Sequence, residues 1–409
     1  MSLQYFTPIS GLIGGSLIGL SAATLLLFNG DILGASGLMS SFVVAPVKTL
    51  SDPSQQWKLS FLAAFALTAR LWVSLVDPDA LKDHRLGYDD SSVPIVSPFG
   101  FLVGGFLVGF GTRLGNGCTT GHGICGLARL SRRSAVAVLT FMTTGIISAS
   151  ACSVTCPFHP YLRDSFASVG KYLPNKTTIT IGTVIASIAA GAALPGVLRK
   201  SPSNATKAEQ DEYTNNRSKI VPSIFSAVFF AIGLVTSKMT VSSKIYGFLN
   251  VKGILMGTGT WDPTLAFVMV GGLFVSFLSY QLVKGFNVFK VRIPFFLIYL
   301  DMPNHFDPTT PSLSLQHNKA LECPITQKKD GGHFSVPTNN VIDNNLFVGE
   351  AIFGLGWGIA GLCPGPAMFL AVAGYQNVLF RWWPSFFVGS FLAEKLKTIR
   401  IRKISPNKP

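Results

Sequence analysis

The chain has 409 residues, with 33 Lys+Arg against 19 Asp+Glu and a formal net charge of +14. Only 13% of residues are charged and 48% are hydrophobic, which excludes a disordered, charge-rich chain and argues against a soluble enzyme. Residues 1–30, 134–162, 177–198, 263–283 and 351–380 contain no Asp, Glu, Lys or Arg, and a run of about 20 residues at about 1.5 Å rise crosses a hydrocarbon core.

An all-α polytopic membrane protein is expected. The basic balance then reads as a topology signal rather than as a nucleic-acid surface. No basic stretch precedes the first apolar run, so a cleavable signal peptide is not expected. Six cysteines in this length are too few for a disulfide scaffold.

Taken in chain order, the apolar segments are of two kinds. Segments 58–76, 131–151, 178–198, 263–283 and 380–396 are long enough to span. Segments 11–28, 99–110, 223–236 and 346–359 run into breaks: NGDILGASG, GTRLGNGCTTGHGICG, VSSKIYGFLN and AGLCPGPA. Irregular, glycine-rich backbone at membrane depth survives only where protein buries it or where it lines a cavity. These four are expected to be re-entrant half-helix pairs converging on a pathway.

The order repeats. Broken pair, span, broken pair, span fills 1–151; a connecting helix occupies 178–198; a polar linker follows at 199–221. The same order returns in 222–397, interrupted by a long polar loop at 286–345, and a basic tail occupies 398–409. NGDILGASGL pairs with SSKIYGFLNV, and GFGTRLGNGCTTG with GWGIAGLCPGPA, setting Cys118 opposite Cys363. A single connector between the halves turns the second one over, so two inverted repeats with central loops, an hourglass-like architecture, are expected. Lys and Arg concentrate in 77–97, 127–133, 199–221 and 395–409. These four segments are expected on the cytoplasmic side, with the N-terminus outside and the protein in the plasma membrane.

Two motifs carry the chemistry. In 115–131, GNGCTTGHGICGLARLS, the glycines Gly117, Gly121 and Gly123 let the backbone turn and present amide groups. Cys118, Thr119, His122 and Cys125 add polar side chains there, and a half-helix beginning near His122 aims its positive end at a ligand. Alternatively the glycines are a helix-packing surface and the cysteines small fillers. In 361–374, GLCPGPAMFLAVAG, Pro364 and Gly365 start a helix whose free N–H groups lie beside Cys363, an anion site with a thiol in it. The competing reading is a proline kink with a buried cysteine.

Cys118, Cys125 and His122 form a weak zinc set, and no metal or other cofactor is expected. Cys152 and Cys156 are either a short disulfide or a pair of interfacial cysteines, and Cys323 lies in the polar loop. Arg113 either draws an anion toward the cysteine loop or marks a boundary, and Glu350 is either interfacial or a proton relay. With no phosphate loop and no arguable catalytic triad, the residues describe a passage for something small, anionic and thiol-seeking rather than an enzyme. A membrane sulfurtransferase or redox enzyme using the same cysteines, or a permease for another anion, are the alternatives.

GCTTGHGICGLARLS and GLCPGPA, in that order, resemble the paired signature of the YeeE/YedE sulfur-transport family. KIYGFLN followed by GTWDPTLAFVMVGG is similar to the stretch opening that family's second half. The resemblance covers nearly the whole chain apart from 201–219 and 292–345. It implies uptake of thiosulfate or a related sulfur anion through S–H···S contacts, with Cys118 and Cys363 at two matching positions. It also implies a small cytoplasmic sulfurtransferase as partner. The first break has no cysteine where some members supply a third, and Ser36 stands there with a hydroxyl instead.

Overall fold

The computed structural model describes residues 6–77, 96–151, 158, 179–184, 187, 191, 206, 210, 214, 216–255, 261–283 and 341–404. Cys152, Cys156, Cys323, most of the connecting helix and linker, the loop 286–345 up to residue 340 and the last residues of the tail lie outside them.

Every element among the described residues is helical. In the first half, α1 (Pro8–Thr24, extended by a π turn to Asn29) is followed by the short α2 (Ala35–Val44). After α3 (Pro46–Ser51) comes α4 (Gln56–Leu71). Then α5 (Pro98–Gly115), a short π segment (Thr119–Gly126) and α6 (Arg132–Ala151) complete it. The second half runs α7 (Ile220–Thr236), α8 (Ser242–Leu249), α9 (Lys252–Leu255) and α10 (Thr264–Val283). It ends with α11 (Asn344–Ala360), α12 (Pro364–Ala373) and α13 (Trp383–Ile404). Long, short, long is the unit, used four times.

The first arm of each break is longer than a half-helix. Seven segments among the described residues are long and apolar enough to cross a membrane, including Pro8–Asn29, Pro98–Gly115 and Asn216–Thr236. Glycines that read as breakers in the sequence are packing sites in the helices. Gly11, Gly15 and Gly19 of α1 lie against Thr264, Val268 and Gly272 of α10, too close for a Cβ to fit without a shift. Lipid-embedded helices gain little by burying apolar groups against one another, so small residues and close backbones hold them together. The large side chains turned outward, among them Leu12, Phe99, Leu139, Val270 and Phe274, form an apolar surface suited to acyl chains.

What stops the first long helix of each unit is one left-handed residue. Gly30 (φ 71°), Asn116 (φ 67°), Lys238 (φ 56°) and Gly361 (φ 60°) follow α1 with its π turn, α5, α7 and α11. Such a residue reverses the chain and lets its amide satisfy a terminal carbonyl, as Gly361 does with Trp357. Asn116 and Lys238 do this without glycine, which hides two of the four stops from a sequence reading.

Corresponding helices of the two halves pack antiparallel. Gly14 of α1 meets Gly233 and Ser237 of α7, while Ser21 Oγ lies 2.9 Å from Ser226 Oγ. Along α5, Gly104, Gly111 and Gly115 meet Ala360, Phe353 and Glu350 of α11. The other main contacts come in matched pairs. α1 packs on α10 as α7 packs on α4, and α5 packs on α13 as α11 packs on α6.

One end of the bundle gathers charge. Arg113 pairs with Glu394 at 2.7 Å, Arg133 with Asp343 at 3.1 Å and Lys219 with Asp31 at 3.3 Å. Lys397 reaches Asn116 at 2.7 Å and Arg400 reaches Asn345 at 2.8 Å. Ser97, just before α5, bonds the Phe158 carbonyl through its backbone amide. Since α5 has 18 residues and the length to cross, Ser97 and Arg113 lie at opposite ends of it.

Candidate functional site

The two thiol motifs use one backbone design. A left-handed residue, Asn116 or Gly361, stands two places before each cysteine. The cysteine is then extended, Cys118 at φ −144°, ψ −171° and Cys363 at φ −105°, ψ 169°, and caps the short helix that follows. Each thiol thus sits at the N-terminal mouth of a short helix, where orphan N–H groups and the dipole favour a negative ligand.

Around Cys118 the contacts are polar. Its Sγ lies 3.2 Å from the Thr120 hydroxyl, which also accepts the Ala35 amide at 3.2 Å and so ties the mouth of α2 to that of the π segment. Cys363 and Thr119 line the wall of one cavity, and the Cys363 side chain makes no cap hydrogen bond to the helix it opens. Cys118 is the electrostatic neighbour of both Cys363 and Cys125. The Cys125 thiol donates to Leu33 O at 3.5 Å. All three cysteines are free and buried.

Two cavities flank this layer. A polar one of about 320 Å³ opens at the charged end and is lined by Gly34, Ser36, Gly117, Gly121 and His122, with Arg113, Arg129 and Arg133 around it. An apolar one of about 80 Å³ lies on the other side, with Thr119, Thr120, Cys363 and Pro366 in its wall among Phe141, Met239 and Trp357. The segment 117–124 is the partition. Its Gly117, Gly121 and His122 face one cavity and its Thr119, Thr120 and Ile124 the other, while Cys118 is fully buried between them.

The glycines separate the packing reading from the ligand reading. A Cβ on Gly117 would strike the His122 ring, and one on Gly126 would strike Ser134. Gly34, Gly37 and Gly121 have nothing within 4 Å of that position. At these three, packing does not require glycine; they leave main chain bare at the cavity wall.

Most of the residues singled out in the sequence come together here, but not all face a cavity. Gly123 points at Met269, and Gly365 packs on Phe230. Pro364 lies in the wholly buried α12, and Pro366, not Pro364, lines the apolar cavity. Ser36 faces the polar cavity, at the start of α2. Among the described residues no cluster of three or more His, Cys, Asp or Glu suits a metal ion.

His122 has partners that sequence reading missed. Nδ1 lies 3.0 Å from Ser134 Oγ, and Nε2 lies 3.4 Å from the carboxylate of Glu350, whose side chain has no exposure. The signal was present in part: Ser134 lies three residues beyond Ser131 on a helix face, but Glu350 is joined to the site through the packing of α11 on α5 and α6.

Residues 96–147 match a family model described as sulphur transport, and 218–295 with 322–404 match a family of unknown function (DUF6691). A probable transporter of Xylella fastidiosa strain Temecula1 is 36% identical over 147 residues, which is 94% of that protein and 36% of this chain. The chain belongs to the YeeE/YedE sulfur-transport family. A second probable transporter of the same strain is 30% identical over 154 residues, covering 74% of its length and 38% of this chain. A probable transporter of strain 9a5c is 35% identical over 147 residues, 94% of its length. The match to the family's sulphur-transport model covers α5, the π segment with Cys118 and most of α6, the partition described above. It is an integral, multi-pass, transporter-family protein.

Proposed function

We propose that the protein takes up thiosulfate, or a related small sulfur anion, through a central pathway running from one cavity to the other past Cys363 and Cys118. The observation that carries this reading is the partition itself. Fully buried Cys118 lies between a basic, glycine-walled cavity and a smaller apolar one that holds Cys363. An anion leaving water loses its hydration at large cost. Amide groups at two helix mouths and weak thiol and hydroxyl donors replace part of that shell, and weak donors also permit release.

The antiparallel packing of α1 on α7 and α5 on α11 supports two inverted repeats. The charged end, with Arg113, Arg133, Lys397 and Arg400, suits the cytoplasmic face of a plasma membrane. The bare basic cavity there would hand the anion to a small sulfurtransferase. The enzyme alternative is weaker, because the one histidine at the site is turned to Ser134 and Glu350 rather than to a thiol. The test is growth and labelled thiosulfate uptake in a cell lacking its own transport. Expression of this chain restores both; failure of uptake with the protein inserted in the membrane would reject the reading.

A further inference from the structure

Glu350 is the most anomalous side chain in the described bundle. It sits in α11 with no exposure, and neither carboxylate oxygen has a hydrogen-bond donor. His122 Nε2 is its nearest polar neighbour at 3.4 Å, close enough for an ion pair and too poorly placed for a hydrogen bond. A buried carboxylate without donors costs several kcal/mol unless it is protonated or faces a cation, by the usual scale for buried polar and charged groups. The site therefore favours states in which a proton is held at Glu350 or His122.

We infer that Glu350 and His122 form a proton-binding site coupled to anion passage. This rests on the transport reading above. His122 lines the polar cavity, so water can deliver a proton to it, and its ring lies against Gly117, next to Cys118. The pair is neutral with one proton and carries +1 with two, one on Glu350 Oε and one on the ring. A divalent anion at the Cys118 mouth favours the doubly protonated state. By linkage, that state favours the anion by the same factor. The only bond made and broken is O–H or N–H, and the proton comes from cavity water and returns to water when the anion leaves.

The surroundings keep the pair responsible. From α6, Arg133 faces Glu350, but its guanidinium is held by Asp343 at 3.1 Å and by the Val341 carbonyl. From α5 the contact is Gly115, and Arg113 is turned away to Glu394 at 2.7 Å. α8 also packs on α11, with Tyr246 donating to Ala149 O at 2.7 Å and Lys244 paired with Asp262 at 3.0 Å. Ser134 fixes Nδ1 and leaves Nε2 toward the carboxylate.

The test uses the full chain in lipid nanodiscs and sodium thiosulfate as the probe. Calorimetric binding near neutral pH in two buffers of different ionisation heat gives the protons taken up per anion. The expectation is roughly one for the native protein, as linkage to a single site requires, and none for Glu350→Gln. In proteoliposomes, an inward proton gradient should accelerate native uptake and leave Glu350→Gln uptake unchanged. Thiosulfate binding and flux without proton uptake would overturn the coupling and leave the transport reading standing. Proton uptake undiminished in Glu350→Gln would also overturn the site. If that variant does not fold, the native two-buffer measurement alone decides between coupling and none. No thiosulfate binding by native protein would reject the transport reading, and the coupling with it.

Discussion

The mouth of the π segment and the mouth of α12 hold a cysteine in the same backbone frame and surround it with opposite chemistry. Beside Cys118 are Thr120, His122 and a basic cavity; beside Cys363 are Pro366, Met239 and Trp357. The short helices differ as well. Thr119–Gly126 is a π segment of 8 residues with three glycines, whereas Pro364–Ala373 is a regular α-helix of 10 residues that is buried throughout. A wide π turn is the form tolerated at functional sites, because it leaves backbone groups unevenly satisfied. The two motifs thus share a backbone frame while one opens beside arginines and the other beside apolar side chains.

The largest expected effect tests whether the thiol at the polar mouth is indispensable. Cys118→Ala should reduce thiosulfate uptake to background with membrane insertion intact, because it removes the thiol buried between the two cavities. Cys118→Ser should retain part of the flux, since a hydroxyl still donates. Uptake by Cys118→Ala at the native rate would reject the relay.

At the apolar mouth the loss should be smaller and more gradual. Cys363→Ala removes one polar group from the wall of the apolar cavity, so uptake should fall severalfold rather than vanish. Cys363 should react slowly with a small maleimide, and thiosulfate should protect it, because the residue is only 9% exposed and faces a cavity of about 80 Å³. Rapid labelling that thiosulfate does not slow would place Cys363 off the pathway and leave the polar mouth acting alone.

Glycines sharpen the contrast between scaffold and mouth. Gly121→Ala meets nothing within 4 Å, whereas a Cβ on Gly109 would collide with the backbone of Phe386. Gly121→Ala should therefore fold and insert normally yet reduce uptake, by narrowing the polar cavity. Gly109→Ala should lower yield and thermal stability, the usual cost of overpacking being about 1–3 kcal/mol. Equal destabilisation by both would mean that the partition glycines serve packing after all.

The class, the four breaks and the pairing of Cys118 with Cys363 were legible in the sequence, because absence of charge and clustered Gly, Pro and Cys are local signals. The length of α1 and α5 was not, since a glycine used for close helix contact looks the same in sequence as one that ends a helix. Nor was the partnership of His122 with Glu350, which depends on two distant helices packing antiparallel. The sequence also carries a second repeat signal. Asp52-Pro53-Ser54 precedes α4 as Asp262-Pro263-Thr264 precedes α10, and in each the aspartate accepts the amide two residues on, at 2.8 Å and 3.0 Å.

Those two aspartates provide the last test of how far the halves are alike. Asp262 is buried, accepts the Thr264 hydroxyl at 2.5 Å and faces Lys244 at 3.0 Å. Asp262→Asn breaks a buried pair and should destabilise by about 3–5 kcal/mol. Asp52 lies outside the span, and the Ser54 hydroxyl and amide hold its carboxyl below the usual value of 3.8. A lowered folded-state value means that the unfolded chain binds the proton first as pH falls. Asp52 therefore contributes stability that is fully present at neutral pH, declines below the unfolded value and is gone once pH passes below the folded one. Asp52→Asn should change the melting temperature little at pH 7 and slightly flatten its fall in acid. A large loss at pH 7 would show that Asp52, like Asp262, is fixed in the structure by more than its cap.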